Sequence, residues 1–536
     1  MPGCLQGCWK RLEAEIMAED DNNNKIDKIV VLDFGSQYSH LICRRIREAN
    51  VYCELVPYNT PAKALKEMDP KGIIFSGGPA SVYAKGAPKP DRQIFAMGKP
   101  ILGICYGHQV LVDNFGGKVK RAASREYGRA GLKIDDDSDL FKNLDTSINC
   151  WMSHGDAAEK VPDGFKVIGH TENSQSAAIG DHERKMYGIQ FHPEVVHTER
   201  GMQILKNFAQ EISGAKPEWD MQSFIDTTVK EIREQVGKDK RVLAAVSGGI
   251  DSTTVAALMH RAIGKQLSCV FINHGLLRQD EEKEVVRLFK EHLGIDLIYV
   301  NAEKRFLSRL KGVTDPEKKR KIIGDQFAKE FVTVAKKHGP FQWLAQGTLY
   351  PDVIESGVSK GPAAVIKTHH NVGGLPKWLK LQVIEPLRFL YKDEVRKVAK
   401  LLEVPDELLK RHPFPGPGLA VRIIGAITPE KTRIAKHASK IVEDELKAAG
   451  YYDKVWQAYA AVGDDRAVGV LGDERVYGHV VMVRVVESID AMTADWTRLP
   501  YDVIERISNR ITNEVEGATW VTYAVSSKPP ATIEPQ

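Results

Sequence analysis

From Asp27 onward, short apolar runs alternate with polar, helix-length stretches. Ile29-Val30-Val31-Leu32, Gly72-Ile73-Ile74-Phe75 and Ile101-Leu102-Gly103-Ile104 are continuous rather than alternating, as strands buried on both faces are. Parallel strands of that kind need crossover segments, so the pattern predicts an α/β domain with a mainly parallel sheet, ending near Ala215-Lys216-Pro217. A second alternation runs through Arg241-Val242-Leu243-Ala244-Ala245-Val246, Leu267-Ser268-Cys269-Val270-Phe271-Ile272 and Leu297-Ile298-Tyr299-Val300, and predicts a second parallel sheet. The proline-dense Arg411-His412-Pro413-Phe414-Pro415-Gly416-Pro417-Gly418 fits neither helix nor central strand and reads as a stiff boundary before an α+β region. The expected domains are 27–217, 218–411 and 412–536, preceded by a leader over 1–26. That leader carries Glu19-Asp20-Asp21-Asn22-Asn23-Asn24 without an apolar period, which predicts a flexible segment with Met17 as an alternative start.

Composition narrows the class without naming a function. The 536 residues are 43% hydrophobic and 27% charged, ordinary globular values that leave room for several cores. No apolar stretch is long enough for a membrane span, and Lys10, Arg11, Glu13 and Glu15 interrupt the N-terminus where a secretory signal needs an apolar core. A cytoplasmic protein with no membrane partner is expected. A net charge of +4 is too small for this size to imply a nucleic-acid partner. The seven cysteines are dispersed and contain no C-x-x-C pair, so neither a disulfide framework nor a zinc site is indicated.

One cysteine has unusual surroundings. Cys105 lies in Gly103-Ile104-Cys105-Tyr106-Gly107, directly after an apolar run. Glycines two residues to either side suit a tight strand-to-helix turn that projects a nucleophile from a strained backbone, and a helix start stabilises a thiolate. A base is available in Gly188-Ile189-Gln190-Phe191-His192-Pro193-Glu194. If the strand continues through this segment, His192 and Glu194 share a face and the carboxylate orients the imidazole. Ser76-Gly77-Gly78-Pro79 offers an uncluttered turn, so the amides of Gly78 and Tyr106 are the candidate oxyanion donors.

A second constellation, Ser247-Gly248-Gly249-Ile250-Asp251-Ser252-Thr253, follows the run ending at Val246 and opens a helical pattern. Glycine amides at a helix N-terminus suit a polyphosphate. Asp251 would repel that ligand unless a divalent cation bridges them, which implies Mg²⁺, and no lysine stands where a kinase-type loop has one.

Gly103-Ile104-Cys105-Tyr106-Gly107-His108-Gln109 with His192-Pro193-Glu194 resembles the class I glutamine amidotransferases. Ser247 to Ser252 resembles the motif of ATP pyrophosphatases, which split ATP between its α and β phosphates. Residues 411–419, Ile366-Lys367-Thr368-His369-His370-Asn371-Val372-Gly373-Gly374-Leu375-Pro376 and the tail Lys528-Pro529-Pro530-Ala531-Thr532-Ile533-Glu534 extend the likeness to the glutamine-hydrolysing GMP synthetases, over about Lys28 to Glu534.

The resemblance implies that Cys105 attacks glutamine, His192 carries the proton and Glu194 orients His192. ATP with Mg²⁺ then activates xanthosine 5′-monophosphate (XMP) for amination to GMP. It further implies that Arg320, Lys528 and Glu534 bind XMP, that Asp352, Glu355 and Lys367 belong to a lid with a hinge at Gly373-Gly374, and that the C-terminal domain forms a homodimer. Two positions depart from the common pattern: Trp520 stands where many members have arginine, and the chain ends Pro535-Gln536 where many end Trp-Glu. The alternatives are an amidotransferase-coupled adenylylating ligase with another acceptor and a non-catalytic nucleotide-binding regulator.

Overall fold

Continuous runs of β-branched and aliphatic residues have no solvent face, and in the computed structural model they form the centres of two separate sheets. The structure describes residues 26–357, 381–488 and 493–536. Residues 1–25 of the expected leader, Met17 included, lie outside them. The chain divides into two compact units, Met1–Asp220 and Met221–Gln536.

The first unit is built on a nine-stranded sheet in the order β2-β1-β3-β4-β9-β8-β7-β5-β6, where β2 is Tyr52–Pro57, β5 Lys118–Ile134, β7 Lys166–His170 and β8 Ala178–Asp181. The strands that matter for the chemistry are β1 (Lys28–Asp33), β3 (Gly72–Phe75), β4 (Ile101–Ile104), β6 (Ser147–Lys160) and β9 (Met186–Ile189). Pairing is parallel from β2 through β9 and antiparallel from β9 to β6. Strands β3, β4 and β9 are completely buried, as their unbroken apolar runs require. They are also adjacent and parallel, so their C-terminal ends open at one rim of the sheet. Helix α1 (Ser39–Glu48) follows β1 and helix α2 (Tyr106–Asn114) follows β4.

The second unit holds a five-stranded, wholly parallel sheet in the order β12 (Leu297–Asn301), β11 (Leu267–Asn273), β10 (Val242–Val246), β13 (Trp343–Ala345), β14 (Gln382–Ile384), with β10 at its centre. Around it lie α3 (Ile250–Ile263), α4 (Glu281–Arg287), α5 (Pro316–His338), α6 (Tyr350–Gly357) and α7 (Lys392–Leu401). Two long antiparallel strands, β15 (Gln457–Leu471) and β16 (Glu474–Glu487), carry the C-terminal part, with β17 (Asp495–Trp496) antiparallel and β18 (Ala518–Tyr523) parallel to β16. Helices α8 (Pro429–Ala448) and α9 (Tyr501–Glu514) pack with them.

One hydrophobic core joins Leu243 and Val270 of the parallel sheet to Ile441, Val483 and Ile507 of the C-terminal part. The segment around Pro413 is irregular, as its prolines dictate, and is firmly held. The Arg278 and Arg422 guanidiniums lie 4.3 and 4.9 Å from the Phe414 ring, and the Leu419 amide donates to Leu276 O at 2.8 Å. Gly418 has φ +64°, and a β-carbon there would meet that same carbonyl at 2.3 Å.

Candidate functional site

The first site forms where β3, β4 and β9 end. Cys105 caps α2 with φ 51° and ψ −102°, a strained conformation for a residue with a side chain, and its amide donates to Ile189 O at 2.8 Å. The flanking glycines have a measurable reason. A β-carbon on Gly103 would lie 2.4 Å from Gly107 O, and one on Gly107 would lie 2.4 Å from Phe75 O. The turn is thus packed against its own helix on one side and against β3 on the other.

His192 and Glu194 do meet, but not as neighbours on a strand. β9 ends at Ile189, and residues 192–194 follow it in a turn through Pro193. The His192 Nδ1 to Glu194 Oε1 distance is 2.7 Å, with both residues buried. The His192 amide donates to Trp151 O at 3.0 Å and the ring lies edge-on to Tyr38 at 5.2 Å. Burial pushes the imidazole pKa down, yet the Glu194 carboxylate and the Cys105 thiol outweigh it and hold His192 well above its ordinary value. A β-carbon on Gly77 would come within 3.2 Å of His192 Cε1, and one on Gly78 within 3.4 Å of Tyr106 Cγ. Cys105, His192 and Glu194 therefore meet, with Gly77 against the imidazole and Gly78 against the Tyr106 ring.

Other groups close the same pocket. Cys105 Sγ is 3.7 Å from both Ser153 O and Gln190 Nε2, and Gln109 Nε2 donates to Asp156 O at 3.3 Å. Gln109 Oε1 and Gln190 Oε1 are buried without a protein partner among the described residues. The β6 contribution escaped sequence reasoning, since Trp151-Met152-Ser153-His154-Gly155-Asp156 acts through carbonyl groups that leave no residue-type signature.

The second site sits at the end of β10, the central strand. Gly249 caps α3, Gly248 adopts φ +77°, and Ile250, Asp251, Ser252 and Thr253 form the first helical turn. The loop is tied to itself: the Ser247 amide donates to Ser252 Oγ at 3.2 Å, the Gly249 amide to Ser247 Oγ at 3.3 Å, and Thr253 Oγ1 to Gly249 O at 2.9 Å. Asp251 Oδ2 lies 3.4 Å from Lys392 Nζ, while its Oδ1 is buried and unpartnered among the described residues. One carboxylate oxygen is thus available to a cation, and no cluster of three metal-ligating side chains occurs among the described residues. Such a donor set suits a cation that arrives with phosphate oxygens of its own. Lys392 opens α7 without any sequence motif, so only the fold could place it here.

The tail residues are firmly anchored. Glu534 forms a bidentate pair with the buried Arg422 at 3.0 and 3.1 Å and accepts from Gln457 Nε2 at 2.5 Å. Lys528 pairs with Ala494 through both backbone groups, at 2.7 and 3.1 Å. Arg484 donates to the carbonyls of Ser526, Thr532 and Ile533. Arg320 pairs with Glu317 on its own helix, and it is the adjacent Lys319 that reaches the tail, donating to Gln536 Oε1 at 2.6 Å and to Ile423 O at 2.7 Å. Arg422 was legible in principle, because an arginine inside Leu419-Ala420-Val421-Arg422-Ile423-Ile424 must find a buried partner. Trp520 donates its indole N–H to Val468 O at 2.9 Å. Of the expected lid residues, Asp352 accepts from the Leu349 amide at 3.1 Å at the start of α6. The Glu355 side chain, Lys367 and the Gly373-Gly374 hinge lie outside the described residues.

Comparison with known proteins agrees with both halves of this picture. The class I glutamine amidotransferase model matches residues 30–212, the asparagine synthase model 224–314, and the GMP synthase C-terminal domain model 444–535. A glutamine-hydrolysing GMP synthase of Brachyspira hyodysenteriae is 54% identical over 95% of this chain and 99% of its own length. Those of Carboxydothermus hydrogenoformans and Gloeothece citriformis are 54% and 52% identical, over 95% and 94% of this chain and 99% and 94% of theirs. The chain belongs to the glutamine-hydrolysing GMP synthase family. A GMP synthase of this family joins an amidotransferase to an ATP-using ligase, and the two sites above lie one in each unit.

Proposed function

We propose that this protein makes GMP from XMP, drawing ammonia from glutamine and activation from ATP. The near-full-length identity to glutamine-hydrolysing GMP synthases carries the reading. Cys105, its proton already held by His192, attacks the glutamine carboxamide as a thiolate, His192 gives that proton to the departing ammonia, and Glu194 holds His192 in register. The Gly78 and Tyr106 amides receive the oxyanion, and water releases glutamate from the thioester. In the second unit the turn 247–253 would hold ATP with Mg²⁺, Asp251 being the residue that would hold the cation, which would neutralise the phosphates. The XMP C2 oxygen is adenylylated with loss of pyrophosphate, and ammonia then displaces AMP.

For the nucleotide, Arg320, Lys528 and Glu534 are our assignment, with Asp352, Glu355 and Lys367 in a lid that keeps water from the adenylylated intermediate. The regions 27–217, 218–411 and 412–536 are the corresponding functional divisions. We assign a homodimer through the C-terminal sheet, a reading supported by the exposed Val468, Val470, Tyr477 and Trp520 on β15, β16 and β18. The five described cysteines are all free thiols, as suits a cytoplasmic protein, and no described helix is long and apolar enough to cross a membrane.

Incubation with XMP, MgATP and glutamine should yield GMP, AMP, pyrophosphate and glutamate in equal amounts. AMP release that requires an acceptor other than XMP would replace the substrate assignment.

A further inference from the structure

Strand β6 touches both halves of the amidotransferase chemistry. Trp151 O receives the His192 amide, Ser153 O stands beside Cys105 Sγ, and Asp156 O receives the Gln109 side chain from the nucleophile's own helix. The residue at the middle of this stretch is His154, buried and bonded at both ring nitrogens. Nδ1 lies 3.0 Å from Asp156 O and Nε2 lies 3.1 Å from Glu126 Oε2. The other Glu126 oxygen accepts from Thr171 Oγ1 at 2.9 Å, and Thr171 in turn accepts from the Ser174 amide at 3.0 Å. Glu126, His154 and Thr171 are all more than nine-tenths buried.

A carbonyl oxygen only accepts, so Nδ1 carries a proton. A second proton must then lie between Nε2 and Glu126. Burial holds His154 below its ordinary value, with the nearby His192 acting in the same direction, against the pull of Glu126. A buried chain with every member satisfied makes a rigid support.

We propose that Glu126, His154 and Thr171 are positioning residues that hold the 151–156 stretch of β6, and through it align Cys105 and His192 for attack on glutamine. They touch neither reacting atom; their effect passes through the Trp151, Ser153 and Asp156 carbonyls. The inference rests on Cys105 being the nucleophile.

The test is a pair of near-isosteric variants, Glu126→Gln and Glu126→Leu, in the full chain. The glutamine side chain can donate to His154 Nε2 and accept from Thr171, whereas leucine fills the space without either bond. Sites are titrated with a glutamine analogue that alkylates Cys105, so that kcat refers to competent molecules. We expect Glu126→Leu to lower glutaminase kcat at least thirtyfold with the KM for glutamine within threefold, and Glu126→Gln to stay within threefold in both. Ammonia-driven GMP synthesis should be unchanged in each. Should Glu126→Leu fail to fold, Thr171→Val removes a single hydroxyl and should lower kcat five- to tenfold. A kcat within threefold of the parent in the readable variant of that pair, or Glu126→Gln as slow as Glu126→Leu, overturns the proposal. Undiminished glutamine hydrolysis in Cys105→Ala would instead overturn the nucleophile assignment, so the two failures are separable.

Discussion

Cys105 and His192 owe their candidacy to the groups pressed around them. His192 is raised by Glu194 and by the Cys105 thiol in spite of burial. A histidine whose folded pKa exceeds its unfolded value, about 6.5, contributes stability that is complete below that value and is lost as pH rises through the folded pKa. Glu194→Gln should therefore lower the melting temperature relative to the parent more at pH 6 than at pH 9, as scanning calorimetry at the two pH values can check. A constant difference would mean that the pair is not charged in the native state. Cys105→Ala should abolish GMP synthesis from glutamine while sparing synthesis from ammonium salts, because in the proposed mechanism the thiolate serves only the first half-reaction. Loss of both would make Cys105 a structural residue.

At the scale of elements, both sites occupy strand-to-helix turns whose glycines answer to identifiable neighbours. A methyl group at Gly103 must displace the Gly107 carbonyl, backbone against backbone, and should cost about 1–3 kcal/mol in chemical denaturation of the first unit, besides tilting the nucleophile. In the second unit the turn 247–253 is closed by α7, which brings Lys392 to Asp251. If Lys392 steadies that carboxylate beside the ATP phosphates, Lys392→Met should raise the KM for ATP about ten- to a hundredfold, the equivalent of about 1.5–3 kcal/mol for a bond to a charged group. Glutamine hydrolysis should be untouched, and an unaltered KM for ATP would remove Lys392 from the site.

Over the whole molecule, the tail closes on the second unit through buried cations. Lys319 has no exposed surface, and burial together with the neighbouring Lys431 lowers its pKa to about 8. Its charged form is thus disfavoured on folding. The unfolded chain binds more protons than the native one between about pH 8 and the ordinary lysine value of 10.5, so this group adds stability as pH rises through that window. The stability of the parent relative to Lys319→Met, from urea unfolding, should accordingly grow between pH 8 and pH 10. A flat difference would show that Lys319 is charged in the native state throughout. Release of the tail in this variant should also raise the KM for XMP.

Runs such as Ile73-Ile74-Phe75 and Leu102-Gly103-Ile104 specify buried parallel strands by themselves, because continuous apolarity has no other accommodation at that length. The turns that carry Cys105 and Asp251 were legible for a related reason: glycines at set spacings are required by turns whose close contacts are local in the chain. Strand order was not local information. The positions of β3, β4 and β9 side by side, which bring Gly78, Cys105 and His192 to one rim, follow from pairing between residues 28 positions apart for β3 with β4 and 85 apart for β4 with β9. The same holds for Lys392 at Asp251, Arg422 at Glu534 and Lys319 at Gln536. These are single charged side chains whose partners are chosen by the fold, since burying a charge is tolerable only where tertiary packing has set an opposite charge or an oxygen acceptor within reach.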